Sequence, residues 1–246
     1  MNVRMYFNYM LVINECIEGK REEWKSVMKL VETARNNIIE LSKSNGLTTG
    51  KVRSISSKLY KTLENKNIEY VLKRCEEFLS ERDWALGVIA YDWAFRVKKQ
   101  YTKETFIIFE RWLKEYVTGW GDCDDFCTHA FGELLSQYNE LFPEVLRWTE
   151  HPDFFVRRAV AVILIYPMKK NRCDEINPLL VSDALMNDSH HLVLKGYGWK
   201  LKVLSETDPI TVYNYLLEHK ATMPRVSYRY ALEKLDDKTK SHLMEG

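Results

Sequence analysis

Proline is absent until Pro143, and only six prolines and ten glycines occur among 246 residues. The first half of the chain therefore holds little that must break a helix, and long uninterrupted helices are permitted there. Cysteine is sparse, odd in number and scattered, at Cys16, Cys75, Cys123, Cys127 and Cys173. That is a poor basis for a disulfide framework and suits a reducing compartment. A dominant charge is missing too: Lys and Arg total 36 against 35 for Asp and Glu. No net field points to a nucleic acid or a membrane, although a one-sided distribution can still build a basic face. Long apolar runs are lacking. MYFNYMLVI at 5–13 is short and soon followed by GKREEWK, which fits neither a transmembrane helix nor a standard signal peptide, so a cytoplasmic location is expected. Also missing are a P-loop, a dinucleotide-binding glycine motif, a nucleophile elbow and a zinc-protease motif, which removes support from most common enzyme classes.

What is present is apolar, aromatic and helical in period. With 46% hydrophobic and 13% aromatic residues, the chain can bury a large core as one elongated domain or two closely joined ones. Strand signals are scarce. Apolar periodicity predicts helices at about 22–43, 51–63, 67–80, 84–99, 103–118, 123–138, 153–166, 174–186, 190–205, 209–219 and 225–235. Asn45-Gly46 suits a left-handed cap, Gly119 an end to the helix before Trp120, and Asp208-Pro209 an N-cap followed by proline at the first helical position. Short, closely spaced helices pair into antiparallel hairpins, and a run of hairpins stacks into a solenoid with a concave binding face. The expected fold is therefore all-α, a solenoid of HEAT-like antiparallel helix pairs. N-terminal helices over 1–44 precede the repeat region at 45–246, the two expected to form one continuous domain 1–246. No exact repeat is visible, and a compact irregular helical bundle is the alternative architecture.

Three segments carry candidate chemistry. In 148–167 a helix apolar on every side holds two adjacent arginines, Arg157 and Arg158. A buried guanidinium needs a carboxylate or a ligand, so the pair either salt-bridges to neighbouring helices or binds phosphate. In GWGDCDDFC at 119–127, Cys123, Phe126, Cys127, Ala130, Leu134 and Tyr138 draw the apolar face. Placing residues about 100° apart puts Asp124 at the border of that face and Asp125 almost opposite, toward solvent. Asp122 and Asp125 suit a helix's first turn, where they complement its dipole; Asp124 is the stronger candidate acid, with Trp120 four residues earlier. In LKGYGWKL at 194–201, Gly196 and Gly198 each cost about 1 kcal/mol relative to alanine in an exposed helix interior. Close approach of a helix or a ligand offsets that cost, beside Trp199 and with Lys195, Lys200 and Lys202 nearby. Core packing is the other use of Trp199. Cys123, Cys127 and His129 do not make a metal site, because His129 is rotated off the shared face and no second Cys/His pair follows.

These three segments, in this order on an all-helical background, resemble the AlkD-like family of DNA alkylation repair glycosylases, built from HEAT-like helical repeats. The likeness rests on W-x3-D at Trp120 and Asp124, F-x-RR-A at Phe155–Ala159, and KGYGW-x-L followed by TDP and a helix up to about 235. It spans roughly 45–240 and is strongest beyond 119; in place of the family's aromatic N-terminal segment stands NIIELSKSNGLTTGKVRS. The resemblance implies hydrolysis of the N-glycosidic bond of N3- or N7-alkylated purines in duplex DNA. No cofactor, metal or membrane is expected, and a solenoid whose concave face serves one extended ligand suits a monomer. The resemblance assigns the catalytic carboxylate to Asp124, with a one-residue slip to Asp125 as the alternative. It places Trp120, Arg158 and Trp199 against DNA; the residues themselves add Arg157 and Lys195 as DNA-binding candidates. Noncatalytic binding of damaged or branched DNA and a helical-repeat protein scaffold are the other readings.

Overall fold

The computed structural model describes residues 29–43 and 46–245. The first part of the expected helix at 22–43, together with Cys16, the apolar 5–13 segment and Asn45, lies outside them. Among the described residues the elements are helical throughout, and two compact units divide the chain at 93/94.

In the unit ending at Trp93, helix α1 runs over 29–42, followed by α2 (Thr49–Lys61), α3 (Ile68–Ser80) and most of α4 (Trp84–Arg96). Gly46 has φ +72°, the left-handed geometry expected of a glycine cap. The side chains of Thr48 and Asn67 accept from the backbone N–H of Lys51 and Tyr70, which satisfies donors a helix start leaves unpaired. Trp93 is fully buried; its ring meets Phe78 edge-on at 5.2 Å, and its N–H donates to the Ser56 carbonyl at 3.1 Å.

The second unit holds α5 (Thr105–Glu115), α6 (Trp120–Phe126), α7 (Gly132–Gln137), α8 (Phe142–Arg147), α9 (Phe154–Ile163), α10 (Ile165–Lys169), α11 (Leu179–Leu185), α12 (His191–Thr207), α13 (Pro209–Glu218), α14 (Arg225–Leu232) and α15 (Asp237–Met244). Helices α6, α9, α12 and α14 pack in that order, each on the next, while α11 and α13 also pack on α12. Phe106, Phe109, Trp112, Phe126, Phe131 and Trp148 form a buried aromatic cluster under the α5 side.

Several boundaries differ from expectation for local reasons. The helix expected over 123–138 begins at Trp120 and is interrupted by a π-helical turn at Cys127–Phe131. Gly119 does not end the preceding helix, which stops at Glu115; it is the extended N-cap of α6. The helix expected over 153–166 breaks at Leu164, because Pro167 has no N–H for the Ile163 carbonyl and its ring crowds it. Asp208-Pro209 behaves as expected, with the Asp208 side chain accepting from Thr211 N–H at 3.1 Å. Helices α8 and α15 were not anticipated; one is six residues with a proline in its first turn, the other eight with a weak apolar stripe.

Candidate active site

The site is built on the packed row of α6, α9 and α12. Asp124 stands in the second turn of α6 and Arg158 in the second turn of α9. The Arg158 Nε and Nη2 each donate to an Asp124 carboxylate oxygen at 2.9 Å, the parallel two-bond geometry for which a guanidinium fork is suited. The side chains are 6% and 18% exposed, so the pair is nearly covered but its carboxylate reaches solvent. Nη1 of Arg158 donates to the Leu192 carbonyl at the start of α12. Three of its five N–H groups are thus engaged.

Glycine makes this possible. A methyl built on Gly196 would lie 3.3 Å from Arg158 Nη1 and 3.4 Å from its Cγ, so the arginine lies close against α12 in a space that alanine would tighten. Gly198 serves a different neighbour: a methyl there would lie 2.8 Å from the Ser227 carbonyl oxygen and 2.9 Å from Tyr230 Cβ. Both glycines are sites of close helix approach, as expected from the sequence.

Burial lifts the Asp124 carboxyl above its ordinary range, and the hydrogen bonds and charge of Arg158 pull it only part of the way back. Burial works against the Arg158 charge, but bonding to Asp124 outweighs it and holds the guanidinium above its ordinary value. Beneath them, Cys127 is fully buried with its thiol pushed well up by desolvation, and Cys123 Sγ lies 3.6 Å from the Phe155 carbonyl. Both thiols are buried, without the exposure of a reactive cysteine.

Trp120, the first residue of α6, is 61% exposed. Trp199 and Lys195 are half-buried. At about 100° per residue they share the open face of α12, with Gly196 and Gly198 on its flanks and Tyr197, Lys200 and Leu201 toward the core. The structure does not leave Lys200 beside the open face. It is fully buried, donating to the Pro178 carbonyl and the Ser182 hydroxyl of α11, and desolvation lowers its pKa to about 7.

Asp125 was expected to face solvent and does not. Its side chain is 11% exposed, with Oδ1 3.5 Å from His129 Nδ1; the π-helical turn brings the His129 ring back over it, 2.9 Å from the Asp125 carbonyl. Arg157 does not join Arg158. It turns to Asp188, with Nε–Oδ2 at 2.6 Å and Nη2–Oδ1 at 3.2 Å, while Nη1 donates to the carbonyls of His151 and Pro152. Asp188 went unnoticed in the sequence. Its signal is its place just ahead of α12, where Oδ1 also accepts from His190 N–H at 2.8 Å.

Residues 17–235 match the model of the DNA alkylation repair enzyme family. The chain belongs to that family. No curated protein matches it. Among solved structures, a predicted DNA alkylation repair enzyme from Enterococcus faecalis superposes with a TM-score of 0.65 at 17% identity, covering 82% of this chain and 96% of that one. The smu.31 protein from Streptococcus mutans gives 0.59 at 19%, covering 84% and 100%. AlkD2 from Streptococcus mutans gives 0.56 at 20%, covering 82% and 99%. At such identities the likeness is one of fold, an all-helical repeat architecture. Membership places this chain among DNA repair enzymes. Among its described residues, no helix is long and apolar enough to cross a membrane, and no group of three or more His, Cys, Asp or Glu is disposed to hold a metal.

Proposed function

We propose that this member of the DNA alkylation repair family is a glycosylase that hydrolyses the N-glycosidic bond of N3- or N7-alkylated purines in duplex DNA. An alkylated purine is already cationic, so when the C1′–N9 bond breaks it leaves with the electron pair as a neutral base. The positive charge then lies on the deoxyribose, and water attacks C1′ and loses a proton. The reaction therefore needs an anion beside the sugar that can also orient water and accept its proton.

What supports this is one observation: the nearly covered carboxylate of Asp124, gripped at both oxygens by Arg158 yet 18% exposed. The grip fixes its orientation, burial makes it a better base than a free carboxylate, and the Arg158 guanidinium suits a phosphate oxygen. Exposed Trp120 on α6 and Trp199 on α12 supply electron-rich faces that favour a cationic lesion. Lys195 shares the face of Trp199 and adds a positive charge for the backbone. Arg157, engaged with Asp188, acts as a clasp that holds the start of α9 to the turn before α12. Solenoid binding of one extended ligand suits a monomer.

The same grip on both carboxylate oxygens favours a second reading, in which Asp124–Arg158 is a structural pair and DNA is bound without cleavage. Release of 7-methylguanine from a methylated duplex decides between them. The expected result is release by the wild type and a fall of about two to three orders of magnitude in Asp124→Asn, with binding retained and Asp125→Asn far less affected. Wild-type protein that binds duplex but releases no base would establish the second reading.

A further inference from the structure

Helix α14 continues the packed row beyond α12. Gly198 brings Ser227 and Tyr230 of α14 against α12. Tyr230, Arg225, Val226, Arg229 and Glu233 then line a groove of about 600 Å³ along the exposed side of α14. Arg225 and Arg229 lie one turn apart, both exposed, and no acid occurs in α14 itself. Among the described residues neither guanidinium has an ion-pair or hydrogen-bond partner, whereas the lining acid, Glu233, is paired with Lys202 of α12. Both arginines also line a second groove of about 870 Å³, with Lys220, Tyr228 and Lys240 on its wall. They therefore stand on a cationic ridge with open space on either side.

Packed helix axes are roughly 8–10 Å apart, so α14 lies about two spacings, roughly 16–20 Å, from α9 and Arg158. At 3.4 Å of duplex rise per base pair, that is about five to six base pairs. A chain with a net charge of +1 has no overall field to hold a duplex, so phosphate binding depends on cations that are locally unneutralised.

We infer that Arg225 and Arg229 form a second phosphate-binding station, which grips the sugar-phosphate backbone of the duplex arm flanking the Asp124–Arg158 site. This rests on the reading that the protein engages duplex DNA. The station adds affinity without sequence preference, because phosphate contacts carry no base information.

The test uses the full chain and two hairpin-closed duplexes, of 8 and 24 base pairs, each with a central 7-methylguanine, in fluorescence anisotropy titrations at several salt concentrations. Arg225→Ala/Arg229→Ala is expected to lose about tenfold in affinity for the long duplex and to flatten its log–log salt dependence by about 2, one phosphate for each arginine. Binding to the short duplex, whose arm ends before α14, stays as in the wild type. Arg225→Lys/Arg229→Lys restores the slope, since a phosphate contact needs the charge and not the fork; a merely structural role would not follow charge in this way. If the alanine variant binds the long duplex with wild-type affinity and slope, the station does not exist and the cationic ridge serves a different anion, such as an acidic protein segment. If the wild type binds neither duplex, it is the DNA-binding reading itself that fails.

Discussion

Two buried charges, Asp124 and Lys200, are handled in opposite ways. Asp124 has its counter-charge on the neighbouring helix, and its raised pKa has a kinetic consequence: only the carboxylate can stabilise a cationic sugar. Base release is expected to fall with decreasing pH along an acid limb displaced above the ordinary carboxylate range, with Arg158 limiting the displacement. Single-turnover release against pH measures it, and Asp124→Asn removes the limb. Lys200 is held by neutral oxygens of Pro178 and Ser182, with the charge of Asp183 only partly opposing desolvation. Its folded pKa of about 7 lies below the ordinary 10.5, so between those values the unfolded chain carries the extra proton and stability rises with pH. Below about 7 the full penalty of the buried ammonium is present. Denaturant unfolding should show stability increasing by ~2 kcal/mol between pH 7 and 9, an increase that Lys200→Met abolishes.

At the scale of the element, glycine sets how close the helices come. Alanine has the higher helix propensity, and in isolation Gly198→Ala would favour α12 by about 1 kcal/mol. In the packed protein the new methyl meets backbone, the Ser227 carbonyl at 2.8 Å and its Cα at 2.9 Å, which cannot rotate away. The substitution is expected to destabilise by about 1–3 kcal/mol net, as overpacking does, measured as a shift in the urea midpoint. Gly132 shows the same principle at the start of α7, where a methyl would lie 2.5 Å from Tyr166 Cβ and 3.0 Å from the Ile163 carbonyl freed by Pro167. Of these contacts, the Gly196–Gly198 pair was legible, because two glycines in an apolar helical pattern need a reason. Gly132 was not, since a lone glycine in a helix carries no such signal. Helix existence was legible through apolar period, whereas the π-helical turn at Cys127–Phe131 leaves that period almost unchanged over so few residues.

For the molecule as a whole, balanced charge conceals a sorted arrangement. Acids and bases that cancel in the count are paired in space at Arg157–Asp188, Arg158–Asp124 and Lys202–Glu233, while Arg225 and Arg229 have no ion-pair partner among the described residues. Composition sums every charge and says nothing of which are neutralised, so the basic ridge was invisible in the sequence. The all-helical class, the helices of the second unit other than α8 and α15, and the family were legible in the sequence alone, since these follow from local period, caps and motif spacing. The sequence also singled out Asp124, Arg158 and Trp199, whose residue types stand out on apolar helices. Only the tertiary structure decided which arginine meets Asp124, that Asp125 is covered by His129, and that Lys200 turns inward. Those outcomes depend on which helix faces lie against one another, a relation between residues 18 to 34 positions apart or across a distorted turn, and one helix's pattern records its own apolar face without naming the neighbour that covers it.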